Sequence, residues 1–228
     1  MKNYLGAVVA TSLMGSFAVA DIWYDPEGDI ANVGDANLDM TSLEVTDDGI
    51  NAYVTLTVAD LSADWGSYML FIDLPGLENF GYGSGDNDNP WGRDVSGLAG
   101  TDFFVGSGSW GSEFYHNFGG QWNLLGDGGF GYYLSDWDTA NNSITWTLSG
   151  IVSDSEFYGF EGVNFEVGTT GGNWGDPAID LFGGEGVQPG WGQGSASTDW
   201  TYYEFSYVPG PGALALLGIA GLVRRRRQ

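Results

Sequence analysis

The feature that most constrains this chain is its alternation of short β-forming runs with turns rich in glycine, asparagine and aspartate. The 228 residues include 39 glycines, and no stretch of about ten residues combines helical periodicity with a helix cap. Short runs with turn signals about every ten residues are typical of an antiparallel β-sandwich. The sequence therefore predicts an all-β fold with about eight to eleven strands, of jelly-roll or immunoglobulin-like topology.

Three strands are defined well by the pattern. Residues 38–46 alternate apolar and polar side chains with one slip, which predicts a bulge, and residues 51–58 alternate cleanly. Asp47, Asp48 and Gly49 between them form a hairpin turn signal. Residues 67–74 are almost continuously apolar, which predicts a central strand covered on both faces.

Both ends of the chain read as sorting segments. Residues 1–20 carry Lys2, an apolar stretch and a small-residue end, which predicts a signal-peptide helix cleaved before Asp21. Residues 208–228 combine a proline-glycine hinge, a short apolar helix and an arginine cluster. The predicted organisation is a signal peptide (1–20), a β-sandwich domain (21–207) and a C-terminal sorting signal (208–228).

The C-terminal segment resembles the PEP-CTERM sorting domain of bacterial envelope proteins. The residues that carry the resemblance are Val208, Pro209, Gly210, Pro211, Arg224, Arg225, Arg226 and Arg227. Gly210 stands where that family has glutamate. The resemblance implies an exosortase-type processing protease as a partner, a transient inner-membrane intermediate, and export to the bacterial cell envelope, outer surface or extracellular matrix. The alternative is an ordinary membrane anchor, although residues 212–223 fall short of the ~20 apolar residues of a spanning helix.

The predicted domain is strongly acidic. Arg93 is its one basic residue, against 30 acidic residues, so residues 21–207 carry a formal charge of −29. Such a surface repels phosphate backbones and anionic lipid headgroups, which excludes nucleic acid as a partner and limits membrane contact to the C-terminal segment. The chain has no cysteine, which excludes disulfides and thiolate chemistry.

A calcium site is predicted in the loop after residue 80. Asp86, Asn87, Asp88 and Asn89 place four oxygen-bearing side chains in succession, and Ca²⁺ prefers oxygen ligands in tolerant geometry. The alternative is a solvated loop in which aspartate and asparagine favour turns.

Carbohydrate binding is predicted from tryptophans next to turns. Indole faces stack on sugar rings while nearby amides and carboxylates hydrogen-bond to hydroxyls. The candidate ligand-binding residues are Trp91, Trp110, Trp122, Trp174 and Trp191, and Trp200 has the same setting. The alternative places tryptophans in the core, as we expect for Trp65 and Trp146.

Residues 25–29, followed by 37–49 and the strand after them, resemble the opening of DOMON-like and family-9-like carbohydrate-binding sandwiches. This resemblance implies a polysaccharide or exopolymer as a partner.

The function expected from the sequence is that of an exported, envelope-associated interaction or structural protein that binds carbohydrate with calcium support and is not an enzyme. The alternative is a carboxylate-dependent glycoside hydrolase or lyase, because 30 acidic residues provide many pairs and none stands out by its spacing. His116, the one histidine, lies in an aromatic stretch without a nucleophile motif, which favours a strand residue over a catalytic base.

Overall fold

A computed structural model describes residues 20–206, apart from 33, 64, 84–88, 97–98, 128–134, 183, 185 and 198. The predicted signal helix, the sorting residues and the C-terminal apolar helix lie outside the described residues. No helix in the described ranges is both long and apolar enough to cross a membrane.

Short strands are the main secondary structure of the described residues. In order they are β1 (Asp21–Tyr24), β2 (Met40–Asp47), β3 (Ala52–Val58), β4 (Ser67–Asp73), β5 (Val95–Ser96), β6 (Phe103–Gly108), β7 (Gly111–Phe118), β8 (Gln121–Asp127), β9 (Ser135–Asp138), β10 (Ser143–Leu148), β11 (Gly162–Thr170), β12 (Ala178–Leu181), β13 (Ser195–Ala196) and β14 (Thr201–Glu204). Two 3₁₀ turns span Ala36–Leu38 and Leu77–Phe80, and helix α1 spans Ile151–Tyr158. The all-β expectation is confirmed, but the expected number of strands was too low because two-residue strands such as β5 and β13 leave no periodic signal.

The strands form two main antiparallel sheets. The first sheet has the order β1-β2-β3-β10-β9, and the second has the order β12-β11-β4-β6-β7-β8. Strand β14 pairs with residues 162–165 of β11, and β12 pairs with residues 168–170. Strands β5 and β13 form a separate parallel pair. The long strand β11 thus joins two short edge strands to the second sheet.

The β2–β3 hairpin matches the prediction. Its turn is closed by the backbone N–H groups of Gly49 and Asn51, which donate to the side chains of Asp47 and Asp48 at 2.9 and 2.7 Å. The register shifts between Met40 and Ser42, where the sequence pattern slips. The predicted bulge is therefore present at the start of β2.

One hydrophobic core lies between the two sheets. Alternate residues of β3 and β10, including Val54, Leu56 and Trp146, pack with Leu70 and Ile72 of β4 in a single buried cluster. Trp146 is fully buried, as predicted, and its Nε1–H donates to Ser107 Oγ at 2.8 Å. This indole therefore contributes both volume and a satisfied hydrogen bond to the core.

The opposite face of the second sheet is covered as well. Met69 and Phe71 of β4 pack there with Phe104, Val95 and Leu181 in a second buried cluster. The first six residues of β4 are all buried, which confirms the prediction of a central strand covered on both faces. The segment around β5, with Trp91 and Val95, supplies this outer layer in place of another main sheet.

Helix α1 contradicts the expectation that the domain of residues 21–207 contains no helix. Its eight residues lie between Gly150 and Gly159, which have left-handed backbone conformations with φ of 77° and 82°. These glycines start and stop a segment too short to show an amphipathic repeat. The sequence signal was therefore the glycine pair and not a periodicity.

Replacement of the buried indole tests the core. We expect Trp146→Ala to lower the free energy of unfolding by about 3–5 kcal/mol, because it leaves a large cavity. The matched change Trp174→Ala removes an indole that is 81% exposed and should cost less than about 0.5 kcal/mol. Urea unfolding of the full chain measures both, and equal losses would contradict the described packing.

Asp102 is a buried carboxyl at the start of β6. It is 1% exposed, and its Oδ2 accepts the Leu74 N–H at 2.7 Å. Burial raises the pKa of Asp102 to about 7, the Leu74 hydrogen bond acts in the opposite direction, and the charges of Asp73 and Glu78 raise it further. The folded protein therefore keeps a proton that the unfolded chain releases near pH 3.8, the ordinary value.

This raised pKa predicts a pH dependence of stability. Below the ordinary pKa of 3.8, Asp102 is protonated in both the folded and the unfolded state, and its contribution to stability is fully present. As pH rises from there through about 7, stability falls because the folded state binds more protons than the unfolded state. Relative to Asp102→Asn, which has no such proton, the protein should lose up to about 1.4 kcal/mol per pH unit across this window. Unfolding of both proteins at several pH values measures the difference, and parallel pH profiles would contradict it.

Candidate functional site

An open groove of about 470 Å³ lies beside the outer face of the second sheet. Three tryptophans line it, Trp91, Trp110 and Trp174. Its other lining residues are Ser67, Pro90, Arg93, Glu113 and Gly172. We call this feature the tryptophan groove.

Trp91 is held against the sheet by shape and by a hydrogen bond. A Cβ atom at Gly106 of β6 would overlap the Trp91 ring, so the glycine permits the close approach. The ring meets Phe104 edge-on at 5.2 Å, and its Nε1–H donates to Glu113 Oε2 at 2.8 Å. The Tyr115 hydroxyl donates to the same oxygen at 2.8 Å. Trp91 therefore has a fixed orientation at the base of the groove.

Trp110 comes from the turn between β6 and β7. Gly108 pairs with Gly111 across this hairpin, and the Trp110 ring folds back over Gly108, where a side chain would clash with it. The ring centroid lies 5.8 Å from that of Trp91 at an interplanar angle of 53°, and the side chain is 59% exposed. The two indoles thus form adjoining, inclined surfaces.

Trp174 lies on a separate turn that the main chain pins to the Trp91 segment. Gly175 N–H donates to Gly92 O at 2.9 Å, and Asp94 N–H donates to Asp176 O at 3.0 Å. The turn itself is closed by Asn173 N–H, which donates to Asp176 Oδ2 at 2.8 Å. These bonds place an indole that is 81% exposed on the rim of the groove.

Arg93 bridges the two segments of the groove. Its guanidinium carbon lies 5.3 Å from the Trp91 ring centroid, which is a cation–π contact. Its Nη1 donates to the carbonyl of Asn173. Burial lowers the pKa of Arg93, and the Asp176 charge opposes this effect. Arg93 therefore orients Trp91 and the Trp174 turn while it adds a positive charge to the groove.

The groove combines flat apolar surfaces with a few fixed polar groups. Glu113 accepts hydrogen bonds from Trp91 and Tyr115, and burial followed by the Glu113 hydrogen bond raises the pKa of the Tyr115 phenol. This phenol stays protonated at neutral pH and remains a donor to Glu113. Such a rigid aromatic surface can stack on a sugar ring and supply hydrogen-bond acceptors at its edge.

Two of the five predicted ligand-binding tryptophans lie outside the groove. Trp122 lies 6.3 Å from Phe104 and is a partly buried residue that packs against the second buried cluster, as does Trp200. Trp191 donates to Asp35 Oδ2 at 2.9 Å and lies 6.3 Å from Trp65. Trp65, predicted to be a core residue, is 46% exposed, because it follows the turn after β3 and packs on another surface indole.

Most of the predicted calcium loop cannot be placed. Asp86, Asn87 and Asp88 lie outside the described residues. Asn89 is buried, its Oδ1 accepts the Arg93 N–H at 2.9 Å, and its Nδ2 donates to Arg93 O at 3.0 Å. Its described role is to close the turn that presents Trp91 and Arg93.

Sequence reasoning missed two groups that build the groove. Glu113 was hidden among 30 acidic residues, and Arg93 was noted only as the single basic residue of the domain. A usable signal was present in β6, where Phe104, Gly106 and Gly108 alternate on one face. Small residues at every second position of a strand mark a face that other groups approach closely.

A second cavity, of about 210 Å³, lies at the end of the sandwich near α1. Its lining is mainly apolar and includes Ile72, Phe103, Phe114, Leu148 and Phe160, together with Asp154. His116 lies on β7 outside this lining, with Tyr82 and Phe118 rings 5.9 and 6.3 Å away, and burial lowers its pKa. The tryptophan groove is the larger and more polar of the two spaces.

Neither models of known protein families nor curated proteins match this chain. The function is therefore argued from the geometry of the groove itself.

Proposed function

We propose that this protein is a non-catalytic carbohydrate-binding module of the bacterial cell envelope. The observation that carries the proposal is the meeting of three tryptophans from separate segments in one open groove. Two of them, Trp110 and Trp174, are more than half exposed although indoles favour burial. Exposed aromatic side chains in a concave site commonly mark a binding surface.

The ligand class follows from the groove's chemistry. Its indoles supply stacking surfaces, while Glu113 and Arg93 are already engaged with groups of the protein. The domain carries a formal charge of −29, which opposes the approach of polyanions. A neutral oligosaccharide, part of a polysaccharide or exopolymer, satisfies these conditions best.

Among its described residues, the groove has too few acidic residues for hydrolysis, and this favours a binding role. Glu113 is the one carboxylate among the described residues that line it, whereas glycoside hydrolysis generally uses a pair of carboxylates. Glu113 also accepts two hydrogen bonds that fix it in a supporting position. A glycoside hydrolase or lyase is the alternative outcome of the test below.

The cellular setting rests on the chain ends. We infer export from the signal-peptide pattern of residues 1–20. The PEP-CTERM resemblance of residues 208–228 implies recognition by an exosortase-type protease and residence at the envelope, outer surface or matrix. We also propose a jelly-roll or immunoglobulin-like topology for the domain, and a relationship to DOMON-like or family-9-like carbohydrate-binding modules. Two antiparallel sheets around one core support a sandwich of this class.

A binding experiment tests the groove directly. The full chain is applied to an array of neutral and uronate-containing oligosaccharides, and the bound neutral oligosaccharides are then titrated by calorimetry. We expect Trp110→Ala and Trp174→Ala each to weaken binding about 30-fold, because loss of an aromatic anchor costs about 2 kcal/mol. Trp65→Ala, which removes a 46% exposed indole outside the groove, should leave affinity unchanged.

Two outcomes would overturn the proposal. Equal effects of the groove and control substitutions would show that sugars bind elsewhere. Release of new reducing ends from the bound oligosaccharides during incubation would show an enzyme.

A further inference from the structure

A second polar site lies where the first segment of the domain meets β12. Ligand atoms of three aspartates there lie within 4.8 Å of one another, in the aspartate cluster Asp25, Asp29 and Asp180. Asp25 and Asp29 follow β1, whereas Asp180 belongs to β12. Residues far apart in the chain thus bring their carboxylates together, away from the residues that line the tryptophan groove.

The main chain fixes this arrangement. Asp25 N–H donates to Thr41 O at 3.0 Å, and Met40 N–H donates to Asp180 Oδ2 at 2.7 Å. These two bonds attach both sides of the cluster to the start of β2. Because Met40 belongs to the first sheet and Asp180 to the second, the cluster lies at a junction between the two sheets.

A fourth carboxylate, that of Asp39, borders the cluster. Its Oδ2 accepts the N–H of Gly28, in the turn between Asp25 and Asp29, at 2.8 Å. The charge of Asp39 acts on Asp25, and that of Asp29 acts on Asp39. Asp39 therefore adds a further oxygen donor to the same small region.

Several oxygens here are buried without a hydrogen-bond donor. They are Asp25 Oδ2, Asp29 Oδ1 and Asp39 Oδ1. Asp39 is only 4% exposed, so water does not solvate its free oxygen. Buried polar atoms are nearly always paired in folded proteins, and a buried carboxylate oxygen without a partner is costly. These oxygens call for a positively charged partner.

The described residues supply no cation for this purpose. Arg93 is the one basic residue between positions 21 and 207, and it is engaged at the tryptophan groove. Neutralisation must therefore come from protons or from bound metal ions.

Burial and mutual repulsion disfavour the charged forms of these carboxyl groups. Burial, followed by the charges of Asp29 and Asp39, raises the pKa of Asp25, and burial followed by the Asp25 charge raises that of Asp180. Burial also raises the pKa of Asp39, with Asp29 and Glu27 adding to the effect.

We propose that the aspartate cluster, with Asp39, binds a calcium ion. Ca²⁺ takes 6–8 oxygen ligands at 2.3–2.6 Å, so that opposite ligands lie about 4.6–5.2 Å apart, which suits the spacing of the cluster. Mg²⁺ usually keeps several waters and uses one or two carboxylates, which suits a site with this many buried carboxylate oxygens less well. The ion locks the start of the domain to both sheets, and its role is structural.

Two measurements on the chelator-treated full chain test the proposal. The protein is titrated with CaCl₂ by calorimetry, and its melting temperature is measured with and without the ion. We expect a saturable binding heat and a melting temperature raised by roughly 5–10 °C at 100 times Kd. Asp29→Asn should abolish both effects. Asp136→Asn, which neutralises an exposed aspartate on edge strand β9, should behave like the original protein.

The Asp29→Asn variant also reports on folding. In chelator it should melt at or above the temperature of the original protein, because the substitution relieves repulsion among the aspartates. No calcium heat and no shift in the original protein would overturn the proposal and leave protons as the neutralising partner. Equal calcium affinity in Asp29→Asn would overturn it by placing the ion elsewhere, such as at residues 86–89. An equal shift with MgCl₂ would contradict the assignment to calcium.

Discussion

The contact of Trp91 with the outer face of the second sheet positions the tryptophan groove. The ring lies over Gly106, meets Phe104 and donates a hydrogen bond to Glu113. This contact covers part of a sheet face that would otherwise be open, and it carries Arg93 into position to hold the Trp174 turn. The second buried cluster and the tryptophan groove therefore share one support, so that the groove and the packing of the sheet depend on the same residues.

A second constraint is the near absence of positive charge. With Arg93 committed to the groove, each buried carboxylate must be neutralised by backbone N–H groups, by hydroxyl groups, by protons or by metal ions. The described residues use several of these solutions: Asp47 accepts the Tyr203 hydroxyl and the Ser206 N–H, Asp102 keeps a proton, and the aspartate cluster leaves oxygens for a cation. We expect an acidic domain of this kind to be stabilised by cations that bind its folded state.

Local signals predicted the sandwich well and the sites only in part. Periodicity located β2 and β3 and the bulge in β2, because one-sided burial leaves a two-residue repeat in the sequence. The apolar run also identified β4 as a strand covered on both faces, but it did not identify the residues that cover the outer face. The partners of Trp91 and of Asp25 lie on distant strands, and no spacing rule connects Trp91 with Gly106 or Asp25 with Asp180. Tryptophans next to turns therefore gave three groove residues, whereas the acidic residues that matter were indistinguishable among 30.

If the proposed function is correct, the ligand contacts the exposed groove tryptophans Trp110 and Trp174 and does not contact the buried core residue Trp146. The most direct test follows the indole N–H resonances of the full chain by NMR during titration with an oligosaccharide. The ligand is a neutral oligosaccharide that binds on the array, and single substitutions assign each resonance. We predict that the Trp110 and Trp174 signals shift with saturation while those of Trp146 and Trp65 stay in place. Shifts confined to Trp65 and Trp191, or no shift of any indole, would contradict the account.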